Sequence, residues 1–475
     1  MSIKGTEKKK KEGRSMHGNI SPADYRYRVK EVAEYLSPEA YTQYLCGVEI
    51  ALVETLHKHD LCKRHVVDEI TRACTEVTAS EVATEEARIG HDIRALVNCI
   101  KKRVSDQAKP FVHMTATSYD IIDTARALQY RDVFHKVVIP ELIALETTLI
   151  DIALREAETV QIGRTHGQHA VPITFGFAIA NYVNRLGESI VHLQYLVKDL
   201  RGKFSGAVGA YNASSLFFAS PEEFEKEVLE GLCIAPALCS TQIAPPEPLM
   251  RLLSEMITAA GVVANIARDM RHLQRSEIDE VAEEFGDAQV GSSTMAHKKN
   301  PISFENIESL WKVLVGRTVT MHMDQISEHQ RDLTNSASMR TYPEIVNYAV
   351  YMVRRLNRTM KKLKLDHESI ARNLEAQCHL TAAEPLYILL AAHGHTDAHE
   401  AVRRLSMKAR EEKKNIEDLA KHDPDIKKYL ALMSAPQKKV FHYPHRTYTG
   451  DAAKKARRVA GLWAEVFNIP LQTRR

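Results

Sequence analysis

The sequence predicts an all-α protein of three domains, in which the central domain is a bundle of five long helices. Three observations predict this class. Apolar residues recur at three- and four-residue spacing over many turns in the middle of the chain. Strand-like alternation of apolar and polar residues is sparse. The chain has 475 residues, of which 44% are hydrophobic, enough to form two or three domains with a sizeable core.

The charge and cysteine content argue against several kinds of function. Lysine and arginine number 64 against 61 acidic residues, a net charge of +3, so neither nucleic acid nor a membrane is expected as the main partner. The 7 cysteines include no Cys-x-x-Cys pair, so neither a disulfide framework nor a cysteine zinc site is indicated. No apolar run approaches the ~18 residues that a membrane span needs. We therefore expect a cytoplasmic protein.

The first two segments are a tail and a small helical domain. Residues 1–21 are basic, with four lysines in a row, and are predicted to be a disordered tail. Residues 22–110 show helical apolar spacing with polar connections, and Pro110 breaks this pattern. We therefore predict an N-terminal helical domain that ends at residue 110.

Two clusters in this domain could contact a ligand. Arg26 and Tyr27 belong to a Tyr-Arg-Tyr-Arg run, which suits either a surface cation–π or stacking arrangement or an anion-binding arginine. His91 and Asp92 precede an apolar helix, where a lone histidine is more often a cap or a core partner than a catalyst.

Residues 111–365 are predicted to form the central helical bundle, and residues 366–475 a smaller C-terminal helical domain. Pro140 should kink the first long helix, while Gly176 and Gly187 allow close helix contact in the second. The five long helices are predicted over residues 120–158, 172–201, 247–285, 301–326 and 344–364.

The most polar connection in this bundle lies between its third and fourth helices. Residues 291–301 read Gly-Ser-Ser-Thr-Met-Ala-His-Lys-Lys-Asn-Pro, a mixture of hydroxyls, an imidazole and ammonium groups that suits an anionic substrate. Gly286 is predicted to stop the upstream helix, and Asn300 to cap a helix whose first residue is Pro301. A loop of about fifteen residues is usually functional or disordered. The alternative is a solvated basic linker.

Two further connections carry polar clusters. Thr117 and Ser118 precede a helix, where they could hold a carboxylate or phosphate at its positive end, or could be plain N-caps. Thr165, His166 and His169 crowd a glycine-containing turn before a helix that Pro172 is predicted to start. A histidine is the natural proton donor at neutral pH. A helix-capping histidine remains an alternative, whereas no Glu-x-x-His or HExxH pattern supports a metal site, and none is predicted.

The last candidates follow in two loops. Gln242 presents a carboxamide just before Pro245 and Pro246. Residues 330–340 place Arg331, Ser336 and Arg340 in a helix-poor segment, where the planar donors of arginine suit phosphate. A solvated charged loop is the alternative for this segment.

Together these connections resemble the fumarase/aspartase superfamily, whose signature loop usually reads Gly-Ser-Ser-x-Met-Pro-x-Lys-x-Asn-Pro. The segments that match, in order, are Thr117-Ser118 with Asp123-Thr124, Thr165-His166, and Gly291 to Pro301. The resemblance extends from about residue 24 to about residue 450. Within the superfamily, residues 163–176, 118–121, 297–298 and 331–340 resemble the branch that releases fumarate from succinylated purine nucleotides.

The resemblance implies a fold, an assembly and a reaction. The fold is a three-domain fumarase/aspartase-like subunit that forms a homotetramer, with active sites shared between subunits. The reaction is β-elimination of fumarate from adenylosuccinate, giving AMP, and from the succinyl-aminoimidazole carboxamide ribotide of purine synthesis. The partner is thus a small-molecule substrate, and no metal or organic cofactor is implied.

The resemblance also assigns roles to residues. Ser292 is expected to be the general base, with Ser293 as the alternative, and His166 the general acid; Lys298 stabilises the carboxylate whose charge grows. Residues expected to hold the succinyl part are Thr117, Ser118, Thr165, Gln242 and Asn300. Those expected to hold the nucleotide, chiefly its phosphate, are Arg26, Tyr27, Arg331, Ser336 and Arg340. His91 and Asp92 match a pair near the site.

The sequence departs from the usual family pattern at several positions. Ala296 replaces the usual loop proline, Pro245-Pro246 stand where an Arg-Asp pair is common, and Gly90 replaces a basic or polar residue.

The alternative enzymes are an argininosuccinate lyase, a fumarase or a carboxymuconate cycloisomerase. The phosphate-binding arginines disfavour a fumarase, and the Gly-Gln pair after His166 disfavours an argininosuccinate lyase. Two non-enzymatic alternatives are a helical scaffold without turnover and a basic nucleic-acid binder.

Overall fold

A computed structural model of the protein describes residues 20–284, 294–295, 298–376 and 378–471, without the side chains of residues 378, 379 and 445. The all-α prediction is confirmed: helices dominate the described residues, and the four strands form two small antiparallel pairs. The predicted domain boundaries stay predictions.

From residue 20 onward, six helices precede the central part of the chain and pack mainly through the third of them, Pro38–Lys58. The residues between helices are short turns, and several helices begin at a capping side chain, such as Ser37 and Thr78. In chain order these helices are α1 Pro22–Tyr25, α2 Lys30–Leu36, α3 Pro38–Lys58, α4 Arg64–Glu76, α5 Ala79–Ile89 and α6 Asp92–Lys101.

The central part contains the predicted long helices together with two strand pairs. The helices are α7 Ser118–Val133, α8 Ile139–Arg155, α9 Phe175–Val197, α10 Pro221–Glu230, α11 Glu247–Leu273, α12 Ile302–Met323 and α13 Tyr342–Lys361. The strands are β1 Val160–Thr165, which pairs with β2 Gln168–Thr174, and β3 Val281–Ala282, which pairs with β4 Lys364–Leu365. Helices α8, α9, α11, α12 and α13 pack side by side as the bundle.

Gly187 and Pro140 affect how the helices of the bundle pack and join. A side chain at Gly187 would come within 2.4 Å of the Trp463 ring, so close approach at this glycine is confirmed. Between α7 and α8 the chain forms a π-helical turn, Phe134–Val138, which directly precedes α8, and Pro140 is the second residue of α8. The predicted kink therefore takes the form of a wider helical turn, which accommodates the missing amide hydrogen of the proline.

The predicted end of the third long helix is wrong. The helix predicted over 247–285 ends at Leu273, and the strand β3 follows it. The apolar pair Val281 and Ala282 fits a short strand as well as a helical stripe, because periodicity cannot separate the two over so few residues. Helix α11 is long and apolar enough to cross a membrane by composition, yet it packs against α9, α12 and α13 as a core helix of the bundle.

Most of the C-terminal helices form a second hydrophobic core, which includes neither the first nor the last of them. This core includes Leu386, Leu390, Val402 and Leu405. The helices are α14 His367–Glu375, α15 Cys378–Thr381, α16 Ala383–Ala392, α17 Ala398–Glu412, α18 Ile416–His422, α19 Pro424–Leu432, α20 Ala435–His442, α21 Pro444–Thr447 and α22 Ala452–Val466. Helix α22 returns to the bundle and packs on α8 and α9.

Candidate active site

The start of α7 is held by a buried ion pair. Thr117 occupies the N-cap position, Ser118 is the first helical residue, and the Thr117 N–H donates to Asp120 Oδ2 at 2.8 Å. Asp120 and Lys203 form an ion pair in which both side chains are fully buried. Lys203 Nζ also donates to the Gly206 carbonyl at 3.2 Å, and the Gly206 N–H to Asp120 Oδ1 at 3.2 Å. The predicted capping position of Thr117 is thus confirmed, and its half-buried hydroxyl lies on a rigid support.

Arg331 lies directly over the first turn of α7. Its guanidinium carbon is 4.1 Å from the centre of the Tyr119 ring, and it hydrogen-bonds the Tyr119 hydroxyl. A second bond runs from Arg331 Nη1 to Asn335 Oδ1 at 2.9 Å. The Nε of Arg331 is buried and has no hydrogen-bond partner in the described part of the chain. Stacking and hydrogen bonds therefore fix the arginine while leaving one donor unused.

Gln242 joins the same region through its backbone. The Gln242 N–H donates to the Gln330 carbonyl at 3.2 Å, and the Ala244 N–H to Asp123 Oδ2 at 2.9 Å. A cavity of about 70 Å³ lies between these segments, lined by Tyr119, Asp123 and Arg331 among others. Burial raises the pKa of Asp123, although the charge of Arg126 opposes that shift.

Ser336 and Arg340 follow Arg331 on the same segment. Ser336 is half-buried, whereas Arg340 is exposed at a short 3₁₀ turn, Ser338–Thr341. Burial raises the pKa of Tyr41 to about 12, and both Asp92 and Arg340 are close enough to add smaller electrostatic effects. The two charges therefore act on the same tyrosine with opposite sign, Asp92 raising its pKa and Arg340 lowering it.

His91 is a capping residue. It occupies the N-cap of α6, where its Nδ1 accepts the Arg94 N–H at 3.2 Å. Asp92 Oδ1 accepts the Ile93 N–H at 2.7 Å. The capping interpretation is confirmed, and both side chains remain partly exposed, at 53% and 40%. A cap does not prevent contact with a ligand.

Tyr27 packs on other tyrosines. Its ring meets Tyr348 and Tyr351 edge to face, with centres 6.1 and 5.1 Å away. Its hydroxyl accepts from Asn306 Nδ2 at 3.3 Å, which places it beside the first turns of α12. Arg26 is exposed next to it. Tyr27 is thus held in an aromatic cluster, Arg26 is exposed, and a role of this arginine in anion binding stays a prediction.

Thr165 and His166 lie at the tip of a β-hairpin. The prediction that a helix starts at Pro172 is wrong, since Pro172 lies within β2 and pairs with Ile162 of β1. His166 and Gly167 form the two-residue turn with φ values of 53° and 73°, the positive values that such hairpin turns require. In the described part of the chain neither the Thr165 nor the His166 side chain has a hydrogen-bond partner, and both are exposed.

Pairing within the hairpin explains its glycine and its second histidine. A Cβ at Gly163 would lie 2.6 Å from the Val171 carbonyl oxygen, beside an irregularity in the pairing of β1. His169 is half-buried, and its Nδ1 has no partner among the described residues. Burial lowers the pKa of His169, and Arg164 adds to the effect. Of the two hairpin histidines, His166 is therefore the more accessible for proton transfer.

The signature loop is described only in part. Ser292 lies outside the described residues, as do Ser293, Ala296 and His297, so the assignment of the base stays a prediction. Lys298 is exposed, and its N–H donates to the Met295 carbonyl at 3.1 Å. Asn300 is half-buried.

The helix after the signature loop is capped by a residue that precedes the loop. Helix α12 begins at Ile302 with Pro301 at the N-cap, so the prediction that Pro301 is its first residue, capped by Asn300, is wrong. The Glu283 carboxylate instead accepts the N–H groups of Ser303 and Phe304, each at 2.9 Å. Sequence reasoning missed this role because it placed Glu283 inside a helix.

Hydrogen bonds join some of the predicted site regions to one another. Contacts among the described residues connect the start of α7 with Gln242 and with the Arg331 segment. No described hydrogen bond joins the side chain of His166 or of Lys298 to that region. The hairpin that carries His166 is instead linked, through Arg164 and Glu280, to the strand that leads into the signature loop.

Comparison with known proteins defines the class. A sequence model of the family described as Lyase matches residues 22–316. The fold matches 3-carboxy-cis,cis-muconate lactonizing enzyme from Pseudomonas putida with a TM-score of 0.81 and 24% identity, covering 94% of this chain and 99% of that one. It also matches fumarate lyase from Mesorhizobium sp. BNC1 with a TM-score of 0.81 and 21% identity, covering 92% and 98%. Fold and sequence together define a lyase of the fumarase/aspartase type.

More specific matches identify the family. A model described as Adenylosuccinate lyase C-terminal matches residues 327–435. Adenylosuccinate lyase from Archaeoglobus fulgidus is 36% identical over 416 residues, and that from Pyrococcus abyssi is 37% identical over 422. Each alignment covers 86% of this chain and 92% of the relative. The chain belongs to the adenylosuccinate lyase family, and the predicted resemblance is confirmed.

Proposed function

We propose that the protein removes fumarate from adenylosuccinate to leave AMP, and acts likewise on the succinyl-aminoimidazole carboxamide ribotide of purine synthesis. The observation that most supports this is the contact of Arg331 with Tyr119. It sets a predicted phosphate-binding arginine against the helix start that presents Thr117 and Ser118. A substrate that has both a phosphate and a dicarboxylate requires this pairing of a cation with hydroxyl donors.

In the proposed reaction one carbon–nitrogen bond breaks and one carbon–carbon double bond forms. The base takes a proton from the carbon next to a succinyl carboxylate, and the electron pair moves to expel the purine-side nitrogen. His166 supplies the proton that this nitrogen needs, so protons balance. The exposed imidazole at the hairpin tip supports that role, because no described hydrogen bond competes for it.

Charge stabilisation is assigned to Lys298. Proton loss beside a carboxylate leaves a second negative charge on that group, and fixed cations lower the barrier most where water is excluded. Ser292 is the proposed base, with activation by Lys298 because a hydroxyl alone is too weak. The proposed elimination uses acid–base chemistry and charge stabilisation, without a metal or organic cofactor.

The active enzyme is proposed to be a cytoplasmic homotetramer with active sites shared between subunits. Support comes from α12, where Val315, Val319 and Met323 are 44%, 64% and 69% exposed at four-residue spacing. An apolar strip of this kind on one helix face is typical of a surface that another subunit covers.

One assay tests the activity. Purified protein is mixed with adenylosuccinate, the absorbance change is followed, and AMP and fumarate are identified by chromatography. We expect turnover with this substrate and none with argininosuccinate or malate. Turnover of argininosuccinate or malate alone would contradict the proposal in favour of another lyase of the superfamily.

A second experiment tests the shared sites. His166→Ala and Lys298→Ala variants, each inactive alone, are unfolded together and refolded as a mixture. If the two residues of one site come from different chains, mixed tetramers contain some intact sites and activity returns. Sedimentation velocity of the wild-type protein should give a tetramer. An inactive mixture of folded tetramers would contradict the shared arrangement.

A further inference from the structure

The carboxylate of Glu283 links the segment before the signature loop to the helix that follows the loop. Its side chain is 6% exposed and accepts the Ser303 N–H at 2.9 and 3.2 Å and the Phe304 N–H at 2.9 Å. These N–H groups belong to the first turn of α12 and have no partner within the helix. Pro301 at the N-cap offers no side-chain acceptor. Glu283 thus replaces the missing local cap from the other side of the loop.

Gln274 makes a second connection between the two ends of the signature loop. Its Oε1 accepts the Glu283 N–H at 3.0 Å, and its Nε2 donates to the Lys299 carbonyl at 3.4 Å. One side chain therefore connects the residue at the start of the loop with the residue next to Lys298. Both connections end on backbone atoms, so they restrain the path of the chain that follows Lys298.

The chain segment that leads into Glu283 is also held in place. β3 pairs Val281 with Leu365 and Ala282 with Lys364, which fixes the strand that leads into Glu283. Glu280 at its start is fully buried and accepts hydrogen bonds from Arg164, Gln161 and Asn373. Glu283 is therefore held by strand pairing and a buried polar cluster, which gives its carboxylate a defined position.

We infer that Glu283 is a positioning residue for Lys298. By binding the first turn of α12 it sets where the stretch 298–301 leaves the loop, and hence where the lysine ammonium meets the substrate carboxylate. The inference rests on the proposed function, in which Lys298 stabilises the growing negative charge. Such alignment matters because a misplacement of about 1 Å can cost roughly 100-fold in rate.

The neighbouring acid provides a matched control. Glu284 is exposed and forms an ion pair with Lys362 at 2.6 Å on the surface. The pKa of Glu284 is lowered by this partner. It shares the charge and sequence context of Glu283, but no described bond connects it to α12 or to the residues around Lys298.

Four proteins are compared: wild type, Glu283→Ala, Glu283→Gln and Glu284→Ala, each assayed with adenylosuccinate and by thermal unfolding. We expect Glu283→Ala to lower kcat about 10- to 100-fold per folded molecule, with a smaller change in KM, since the loss is one of alignment. Glu283→Gln keeps an acceptor oxygen for the two amides and should recover most of the rate. Glu284→Ala should behave like wild type.

The outcomes separate this inference from the proposed function. Normal wild-type turnover together with an unaffected kcat in Glu283→Ala would overturn the positioning role alone. The same holds if activity falls only in proportion to the unfolded fraction, or if Glu283→Gln recovers nothing although it folds. Failure of the wild-type protein to act on adenylosuccinate would overturn the proposed function, and the inference with it.

Discussion

The guanidinium of Arg164 binds both oxygens of Glu280, at 2.5 and 3.2 Å, and the Glu280 side chain has no exposed surface. Gln161 donates to the same carboxylate at 2.6 Å and Asn373 at 2.9 Å. Through this one buried charge the hairpin that presents His166, the strand that leads into the signature loop and the C-terminal helix α14 are held together.

The first prediction concerns this ion pair. Arg164→Ala leaves the Glu280 charge buried without its cation, which typically costs about 3–5 kcal/mol. We expect a clear fall in the thermal unfolding midpoint. Replacing both partners in Arg164→Met/Glu280→Gln removes the unpaired charge and should recover part of the loss. Unfolding curves of the single and double variants measure the coupling.

A surface pair serves as the control for that experiment. Arg403 and Glu400 form an ion pair on α17 with side chains 52% and 41% exposed, and such pairs contribute about 0–1 kcal/mol. Arg403→Ala should change the midpoint little. Equal losses in Arg164→Ala and Arg403→Ala would contradict a special role for the buried pair.

The long helices could be predicted from sequence because their apolar stripes run for many turns. Residues 344–364 and 301–326, for example, correspond to α13 and α12 within a few residues. The role of Gly187 could also be predicted from sequence, because close packing against Trp463 requires the absence of a side chain. Periodicity over several turns reports burial directly.

The parts of the site that depend on distant contacts could not be predicted in this way. The hairpin around His166 leaves a short signal, in which Val160 and Ile162 alternate before a two-residue turn that ends in Gly167. Pro172 suggested a helix start there because strands seldom contain proline. The roles of Glu280 and Glu283 have no local signal, since their partners are 116 and about 20 residues away.

The two histidines of the hairpin should differ sharply in activity. His166→Asn removes the proposed proton donor, and general acid catalysis typically contributes about 100- to 10,000-fold. His169→Asn alters a half-buried imidazole whose pKa is lowered by burial and by Arg164, so it stays neutral near pH 7. We expect kcat to collapse in the first variant and to stay within about tenfold in the second. Steady-state rates at pH 7 decide between them, and the reverse pattern would move the acid to His169.

Arg331 should govern binding of the nucleotide. A hydrogen bond to a charged group contributes about 1.5–3 kcal/mol, so Arg331→Met should raise KM for adenylosuccinate about 10- to 100-fold. Tyr119→Phe keeps the ring under the guanidinium and removes only the hydroxyl. We expect it to change KM by less than about fivefold. If Arg331→Met binds substrate normally in equilibrium measurements, the phosphate contact lies elsewhere.

Glu146 should make stability depend on pH. This residue of α8 is fully buried, neither carboxylate oxygen has a partner in the described part of the chain, and burial raises its pKa from 4.5 to about 9. Between these values the native state binds more protons than the unfolded state, so this residue makes stability fall as pH rises.

Glu146→Gln removes this titration. Each pH unit between 5 and 8 corresponds to roughly 1.4 kcal/mol, an upper limit of about 4 kcal/mol over the whole interval. The variant should therefore gain stability relative to wild type as pH rises from 5 to 8. Thermal unfolding at four pH values measures the difference. Glu141→Gln, on the same helix but paired with Arg354 at 2.8 Å, serves as the control and should show no such gain. A difference between Glu146→Gln and wild type that stays constant from pH 5 to 8 would mean that Glu146 is ionised in the folded protein.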